Sequence, residues 1–258
     1  MRTVVVDDYA ALSQAAADAI MATLRRKPDA LLLLATGDTP MGAYSELAER
    51  YRRGELDTSQ LRVAQLDEYA GLAEGDHRSL YGWMVSSFTE PLDVSESRTI
   101  RLDGRLPPAI ACRAYDAAVA AGGGFDLAVL GLGPNGHLGF NEPPIERDAP
   151  TRLVPLTPAS LRSNARYWGG EHNVPREALT CGLATMLAAR EILLVVSGAH
   201  KREILRETLA PMPSADVPAS WLQTATGDVV VLADRAACAR GTCCATQRPS
   251  RCARPLSR

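Results

Sequence analysis

The sequence predicts an α/β fold in which a mainly parallel sheet is flanked by helices. Short apolar runs alternate with longer segments of helical periodicity, and no internal repeat interrupts the alternation. Most of the runs are continuously apolar, as expected for strands buried on both faces. The predicted strands are residues 4–6, 30–35, 61–66, 99–102, 125–130, 153–156, 192–197 and 229–233. The predicted helices are residues 9–26, 41–52, 79–88, 107–121, 175–189 and 201–209.

The length and composition suit one enzyme-sized domain. The chain has 258 residues, of which 46% are hydrophobic, enough to bury a substantial core. A formal net charge of −2 argues against a general nucleic-acid or membrane-surface binder, which carries a basic excess. No apolar run approaches the length of a membrane span, and the first residues lack the layout of a signal peptide. We therefore expect a cytoplasmic protein with a small-molecule substrate and neither a nucleic-acid nor a membrane partner.

The first candidate site follows the predicted strand 30–35, where Thr-Gly-Asp-Thr-Pro leads into a helical pattern. Backbone N–H groups at a helix start bind anions, and the two threonine hydroxyls add donors, so this loop suits a phosphate group. It lacks the Lys-Ser/Thr ending of a Walker loop. The predicted substrate-binding residues of this loop are Thr36, Gly37, Asp38 and Thr39.

The second candidate is a pair of carboxylates, Asp67 and Glu68, directly after the predicted strand 61–66. A carboxylate at the end of a buried strand can serve as a general base. Two adjacent acids that cap a helix or face solvent are the alternative, and the residues alone leave both open.

The most informative stretch is residues 131–143, Gly-Leu-Gly-Pro-Asn-Gly-His-Leu-Gly-Phe-Asn-Glu-Pro, which follows the predicted strand 125–130. Its glycines allow a tight turn that presents His137 and Glu142 five residues apart. Ligands of open α/β sheets bind beyond the carboxyl ends of the strands, so this loop predicts an active-site edge for a small polar substrate. A glycine-rich turn that His137 and Glu142 merely cap or solvate is the alternative.

Taken in this order, Thr-Gly-x-Thr-Pro, Leu-Asp-Glu-Tyr-x-Gly-Leu and Gly-x-Gly-x-Asn-Gly-His-x-Gly-Phe-Asn-Glu-Pro closely resemble the motifs of the glucosamine-6-phosphate deaminase family. Three motifs together are far more specific than one. The resemblance continues through residues 161–167, 174–180, 197–201 and 229–234, and it covers roughly residues 1–235. It implies a single domain with the Rossmann-like fold shared with ribose-5-phosphate isomerases and coenzyme A transferases.

The resemblance also implies a reaction. Glucosamine 6-phosphate would undergo ring opening, aldose-to-ketose isomerisation and deamination to fructose 6-phosphate and ammonia, in amino-sugar catabolism. These steps are proton transfers, so neither a metal nor another cofactor is implied. Asp67 would move a proton from C2 to C1, His137 would shuttle the ring-oxygen proton, and Glu142 would orient and charge-balance His137. Asn135 stands where some members have aspartate, and we expect its side chain to accept the imidazole N–H.

For the phosphate, the resemblance points to Arg166, Lys201 and the backbone of residues 36–39, with Gly136 as a further substrate contact. A surface ion pair at Arg166 and a solvated side chain at Lys201 are the alternatives. Asp38 stands where the family commonly has glycine, and we expect its carboxylate to turn away from the phosphate.

Two further segments complete the chain. Residues 155–179 correspond to the mobile lid of the family, and a Gly-Gly pair at 169–170 would permit its movement. Residues 236–258 hold four of the six cysteines, five arginines and no acid, a composition that predicts disorder. The tail cysteines lack the C-x-x-C spacing of a zinc site; they are Cys238, Cys243, Cys244 and Cys252.

Three other functions stay open at the level of sequence. Galactosamine-6-phosphate deaminase/isomerase is a sister activity whose substrate differs only at the C4 hydroxyl. A 6-phosphogluconolactonase shares the fold, but its histidine loop typically reads Gly-His-Thr-x-Ser-Leu-Phe-Pro, unlike residues 136–143. A noncatalytic sugar-phosphate sensor would not need Asp67, His137 and Glu142. Oligomeric state and allosteric control vary within the family, so a homo-oligomer is left open.

Overall fold

The computed structural model describes residues 1–73 and 75–238. The strands in chain order are β1 (Arg2–Val6), β2 (Leu31–Leu34), β3 (Arg62–Gln65), β4 (Asp67–Tyr69), β5 (Thr99–Ile100), β6 (Leu127–Gly131), β7 (Arg152–Pro155), β8 (Glu177–Thr180), β9 (Glu191–Val196) and β10 (Asp228–Asp234). The α-helices are α1 (Tyr9–Arg26), α2 (Asp38–Arg52), α3 (Leu80–Met84), α4 (Pro108–Ala121), α5 (Pro158–Trp168), α6 (Leu183–Leu187) and α7 (Arg202–Thr208). A π-helical turn, Val85–Thr89, extends α3.

Seven strands form one parallel sheet in the order β1-β10-β9-β6-β2-β3-β5. The predicted α/β fold, a mainly parallel sheet flanked by helices, is confirmed. The chain builds outward from β2 through β3 to β5 and then returns to the other side of β2 with β6. The strand order therefore reverses between β2 and β6, which is where open α/β sheets bind their ligands.

The centre of the sheet is buried on both faces, and its strand β2 is apolar at every position. Leu32 and Leu34 of β2 pack in the cluster that contains the buried side chains of α1 and α2. Leu31 and Leu33 point the other way and pack in the cluster that contains those of α4 and α6. Successive side chains of a strand face opposite ways, so an uninterrupted apolar run serves both helix layers.

A second, three-stranded antiparallel sheet stands apart from the large one, with the order β4-β8-β7. Strand β8 lies in its centre, and its register pairs Thr180 with Asp67 of β4 and with Arg152 of β7. This sheet carries a third apolar cluster that includes Tyr69, Phe140 and the first turns of α5. The small sheet and its cluster therefore join the segment of Asp67, the histidine loop and helix α5.

The predicted helix at residues 175–189 is wrong in its first half. Residues Glu177–Thr180 form β8, and only Leu183–Leu187 are helical. The apolar residues of this segment have helical spacing, but Ala178 and Leu179 are completely buried between two partner strands. Pairing with both neighbours satisfies the backbone of β8 and overrides the local pattern, which contains no information about distant partners. Strand β4 is also absent from the sequence prediction.

Helix α5 lies within the predicted lid, residues 155–179. Its N-cap, Thr157, accepts a hydrogen bond from the Ser160 backbone at 3.2 Å, and its C-cap, Gly169, adopts a left-handed conformation with φ 73°. Leu161 on the inner face packs into the third apolar cluster. The segment therefore has a defined resting position, and its movement stays a prediction.

The C-terminal strand β10 is followed by a short buried segment. Ala237 is completely buried in the main core cluster, and its N–H donates to Asp234 Oδ1 at 2.7 Å. The tail predicted for residues 236–258 lies outside the described residues from 239 onward. In the portion that is described, we find no helix with both the length and the apolar character that a membrane crossing demands.

We predict that Thr180→Val destabilises the protein by about 1–3 kcal/mol, because the Thr180 hydroxyl accepts the buried N–H of Phe140, which valine leaves unpaired. Urea unfolding measures this loss. The matched control is Thr208→Val: Thr208 is equally buried, but its hydroxyl donates only to the Ile204 carbonyl of its own helix. A control loss as large as that of Thr180→Val would contradict a special role for the Phe140 contact.

Candidate active site

The predicted functional residues come together in a cavity of about 440 Å³ at the carboxyl ends of four adjacent strands, β9, β6, β2 and β3. This volume lies in the range of small-molecule sites. The predicted residues that line the cavity are Thr36, Gly37, Asp38, Thr39, Asp67, His137, Arg166 and Lys201. Each of the four strands contributes through the loop that follows it, so the parallel sheet itself brings these residues together.

His137, Glu142 and Asn135 form a connected group beside the cavity. His137 Nδ1 lies 3.3 Å from Glu142 Oε2, and the same oxygen accepts a hydrogen bond from Asn135 Nδ2 at 2.7 Å. The other carboxylate oxygen of Glu142 accepts the Ser160 hydroxyl from helix α5. The expectation that Asn135 accepts the imidazole N–H is wrong: its amide donates to Glu142, and the buried Oδ1 has no partner among the described residues.

Glu142 is held in its charged form. Burial opposes ionisation, but the hydrogen bond and the charge of His137, together with the bonds from Asn135 and Ser160, lower the pKa of Glu142 to about 2. A carboxylate that is always ionised accepts the Nδ1 proton of the imidazole and thereby fixes the direction of the ring. His137 itself lines the cavity, so its other ring nitrogen is the one available to a substrate.

Two glycines of the loop make room for the reacting groups. A Cβ at Gly133 would lie 2.2 Å from the His137 ring, a separation that real side chains do not reach. Gly139 has φ +58°, and a Cβ there would lie 3.0 Å from the Thr180 hydroxyl and 3.3 Å from Asp67 Oδ2. The glycine pattern that the sequence displays is therefore a steric requirement of the site.

The histidine loop is anchored to strand β8. The completely buried Asn141 donates from Nδ2 to the Leu138 carbonyl at 3.0 Å and to the Cys181 carbonyl at 2.9 Å. Its Oδ1 accepts from Arg152 at 2.8 Å. These bonds satisfy a buried amide fully, and they hold the loop against the strand that also pairs with Asp67.

The adjacent acids Asp67 and Glu68 have different roles. Glu68 is a buried helix cap: its oxygens accept the N–H groups of Leu80 and Tyr81 at 2.9 and 3.0 Å, as well as the Ser79 hydroxyl at 2.7 Å. Asp67 instead lines the cavity. Burial, and secondarily the negative charge of Glu68, raises the pKa of Asp67 to about 8. The capping alternative therefore holds for Glu68 and not for Asp67.

The phosphate-type loop is shaped as the sequence predicts, with one correction. Helix α2 begins at Asp38, and its N-cap, Gly37, makes no side-chain capping bond, so the first N–H groups of the helix are not capped by a side chain. Asp38 does not turn away from this site. Its carboxylate forms an ion pair with Arg166 of helix α5 at 2.9 Å.

Positive charge gathers at the same end of the cavity. Burial, and secondarily the charge of Arg166, lowers the pKa of Lys201 to about 8, and its Nζ donates to the Leu132 carbonyl at 2.6 Å. Burial and the charges of Lys201 and Arg166 also lower the pKa of His200. Cations that repel one another in a half-buried cavity favour a bound anion. The solvated alternative for Lys201 is wrong.

The sequence interpretation missed several residues of this site and misplaced one. The missed residues that line the cavity are Ser160, Tyr167 and His200. Tyr167 and His200 are sequence neighbours of the predicted Arg166 and Lys201, so the sequence contained a signal for these two. Gly136, expected to contact substrate, faces away: a Cβ there would lie 2.8 Å from Val217. Gly136 therefore contributes a turn rather than a binding surface.

A larger cavity of about 990 Å³ lies behind an aromatic wall that includes Trp83, Tyr167 and Trp168. Trp83 and Tyr167 pack edge to face with ring centroids 4.9 Å apart. Of the sequence candidates that the structure describes, only Glu68, which is a helix cap, lines this cavity. The smaller cavity, which brings together Asp67, His137, Arg166 and Lys201, is therefore the candidate active site.

A family model and individual relatives assign the chain to the same family. The family model of glucosamine-6-phosphate isomerases/6-phosphogluconolactonase matches residues 7–231. A glucosamine-6-phosphate deaminase of Halothermothrix orenii is 40% identical over 225 residues, covering 87% of this chain and 93% of that protein. A glucosamine-6-phosphate deaminase of Arthrobacter sp. is 40% identical over 239 residues, covering 92% of this chain and 91% of that protein.

Solved structures point the same way. A monomeric glucosamine-6-phosphate deaminase superimposes with a TM-score of 0.89 at 39% identity, over 92% of this chain and 98% of that one. The 6-phosphogluconolactonase of Trypanosoma brucei gives a TM-score of 0.73 at 20% identity, over 92% of this chain and 97% of that one. The second likeness concerns the fold alone.

We predict that Glu68→Gln lowers the pKa of Asp67 from about 8, because it removes the neighbouring negative charge that disfavours ionisation. The pKa should stay above the ordinary aspartate range, since burial is the larger cause. Infrared titration of the protonated-carboxyl band measures the shift, and the loss of the band in Asp67→Asn assigns it. An unchanged or raised midpoint in Glu68→Gln would contradict the electrostatic coupling.

Proposed function

The chain belongs to the glucosamine-6-phosphate isomerase/6-phosphogluconolactonase family, and we propose that it is the glucosamine-6-phosphate deaminase of its cell. The reaction consumes glucosamine 6-phosphate and water and yields fructose 6-phosphate and ammonia. The observation that carries this proposal is a basic carboxylate, Asp67, in the same cavity as the ion-paired His137 and a cluster of cations. A base, an acid and an anion site are the three parts that an aldose–ketose isomerisation of a sugar phosphate requires.

The phosphate binds at the cationic end of the cavity. Arg166 and Lys201 supply two positive charges, which match a phosphate dianion, and the start of helix α2 supplies backbone N–H groups. The start of α2 and Lys201 follow β2 and β9, and along the sheet edge they alternate with His137 and Asp67, which follow β6 and β3. We place the sugar with its phosphate on the cations and the helix start, and with C1 and C2 beside Asp67 and His137.

His137 opens the sugar ring. It donates a proton to the ring oxygen as the C1 hydroxyl loses one, which leaves the open-chain aldehyde. Glu142 stays ionised because its pKa is about 2, so it accepts from the imidazole at Nδ1 and leaves Nε2 to face the substrate. Asn135 and Ser160 hold the Glu142 carboxylate in place and thereby fix the direction of the imidazole.

Asp67 transfers a proton from C2 to C1, which converts the aldose into a ketose imine. Its carboxylate removes the proton from C2 while the aldehyde oxygen regains the proton that the C1 hydroxyl gave up on ring opening, which gives a C1–C2 enol that keeps the amine on C2. Asp67 then returns its proton to C1, and the nitrogen electron pair forms a protonated C=N bond at C2. Water then adds to C2, the nitrogen leaves as ammonia, and C2 becomes the ketone of fructose 6-phosphate. A pKa of about 8 makes Asp67 a far stronger proton acceptor than an exposed aspartate.

The choice of substrate within the family rests on the named relatives. The deaminase relatives at 40% identity act on the gluco sugar by their names, and the likeness to a lactonase stops at the fold. Galactosamine 6-phosphate is the alternative substrate, which differs at one hydroxyl.

We place the reaction in the cytoplasm, where phosphorylated sugars are kept. A monomer and a homo-oligomer are both compatible with this proposal, and one of the similar structures is monomeric.

The first test is ammonia release from the purified full chain with both amino-sugar phosphates. We expect turnover with the gluco sugar and a loss of about 10²-fold or more in kcat for Asp67→Asn, with KM within a few-fold, because the change removes the base and leaves the phosphate site intact. Exchange of the C2 hydrogen with solvent should be lost in the same variant. Exchange at the wild-type rate would remove Asp67 from the role of base, and the absence of ammonia release from either sugar would refute the deaminase activity.

The second test is the pH dependence of KM. Lys201 carries its charge below its pKa of about 8 and loses it above, so KM should rise as the pH increases from 7 toward 9. In Lys201→Arg the guanidinium stays charged, and the rise should disappear. A rise that persists unchanged in Lys201→Arg would assign it to another group.

A further inference from the structure

An ion pair between Asp38 and Arg166 connects the phosphate loop to the lid helix. Asp38 Oδ2 lies 2.9 Å from an Arg166 guanidinium nitrogen, and the two side chains are 58% and 61% exposed. Both residues line the candidate active-site cavity. The cation assigned to the substrate phosphate is therefore occupied by an anion of the protein itself.

The position of Arg166 is defined by more than this one contact. Its guanidinium lies over the Tyr167 ring, 4.7 Å from the centroid, and donates to the Tyr167 hydroxyl at 2.6 Å. The same hydroxyl lies against Gly37, because a Cβ built at Gly37 would be 3.8 Å from it. Arg166 is thus seated at the start of helix α2, where a phosphate would bind.

The charges around the start of helix α2 explain why Asp38 and Arg166 form an ion pair. Arg166 stands near Lys201 and His200, two other basic groups that its charge disturbs. A carboxylate beside Arg166 reduces this mutual repulsion. Asp38 carries one negative charge and donates no hydrogen bonds, whereas a phosphate dianion carries two charges and offers more oxygens to Arg166, Lys201 and the backbone N–H groups.

We propose that Asp38 sets the affinity of the phosphate site: its carboxylate is a built-in competitor that occupies Arg166 until a phosphate displaces it. The inference rests on the proposed function for the assignment of the phosphate site. The Asp38 carboxylate and the phosphate compete for the same guanidinium, that of Arg166. Every anion that uses Arg166 must first displace the internal carboxylate, so the affinity for phosphate is lower than it would be with a neutral residue at position 38.

The test is the affinity for inorganic phosphate, measured by isothermal titration calorimetry on the full chain. Asp38→Asn keeps the size of the side chain and removes the charge, so it should bind phosphate about two- to five-fold more tightly, the range that one exposed ion pair provides. The matched control is Asp7→Asn, which removes the same charge from an exposed pair with Arg235, and it should leave the affinity unchanged. Equal or weaker binding by Asp38→Asn would overturn the proposal.

A double-mutant cycle separates competition for Arg166 from simple repulsion. Arg166→Gln should weaken phosphate binding, and Asp38→Asn should bring no gain when it is added to Arg166→Gln. A gain of the same size in both backgrounds would mean that Asp38 merely repels the ligand, which would also overturn the proposal.

Phosphate affinity makes the inference independent of turnover. Suppose that neither amino-sugar phosphate releases ammonia, while Asp38→Asn binds phosphate more tightly only when Arg166 is intact. In that case the proposed reaction fails and the competition stands. If ammonia is released but the cycle shows no coupling, the reaction stands and the competition fails.

Discussion

Strand β8 pairs with β4 on one side and with β7 on the other, so one register determines where Asp67, the histidine loop and the lid lie relative to one another. Thr180 is the central residue of this arrangement: its backbone is opposite Asp67, and its hydroxyl accepts the N–H of Phe140 from the histidine loop. Because a slip of one residue would turn each side chain of the strand to the opposite face, the register is strongly specified. The base and the acid, which follow different strands of the large sheet, are thereby held on one common support.

Within that support, the environment assigns a different protonation behaviour to each acid. Glu142 receives donors from three side chains and stays ionised, whereas Asp67 is buried beside the charged Glu68 and holds its proton until about pH 8. Glu68 in turn is stabilised as a helix cap. Three carboxylates in one small region therefore differ: Glu142 is the ionised partner of His137, Glu68 is a helix cap, and Asp67 is the proposed base. They differ because hydrogen-bond supply and desolvation act in opposite directions on ionisation.

Helix α5 contacts both functional ends of the cavity. Ser160 near its start bonds to Glu142, and Arg166 near its end pairs with Asp38. A displacement of this helix would change the support of the imidazole and the charge at the phosphate loop together. The segment predicted to be a lid is thus connected to Glu142 and to Asp38 by two polar contacts, which are easier to break and re-form than a packed apolar interface.

The sequence by itself determined the α/β architecture and the position of the site, because the apolar runs at residues 30–35 and 125–130 and the glycine-rich loops after them are local patterns with local physical causes. Parallel strands place their carboxyl ends at one edge, so motifs that follow such strands must meet. Only the tertiary structure decided that residues 177–180 form a strand and not a helix, that Asn135 donates to Glu142, and that Asp38 occupies Arg166. These features depend on partners far away in the chain, and strand pairing, ion pairing and pKa values follow from what is close in space, which local periodicity does not encode.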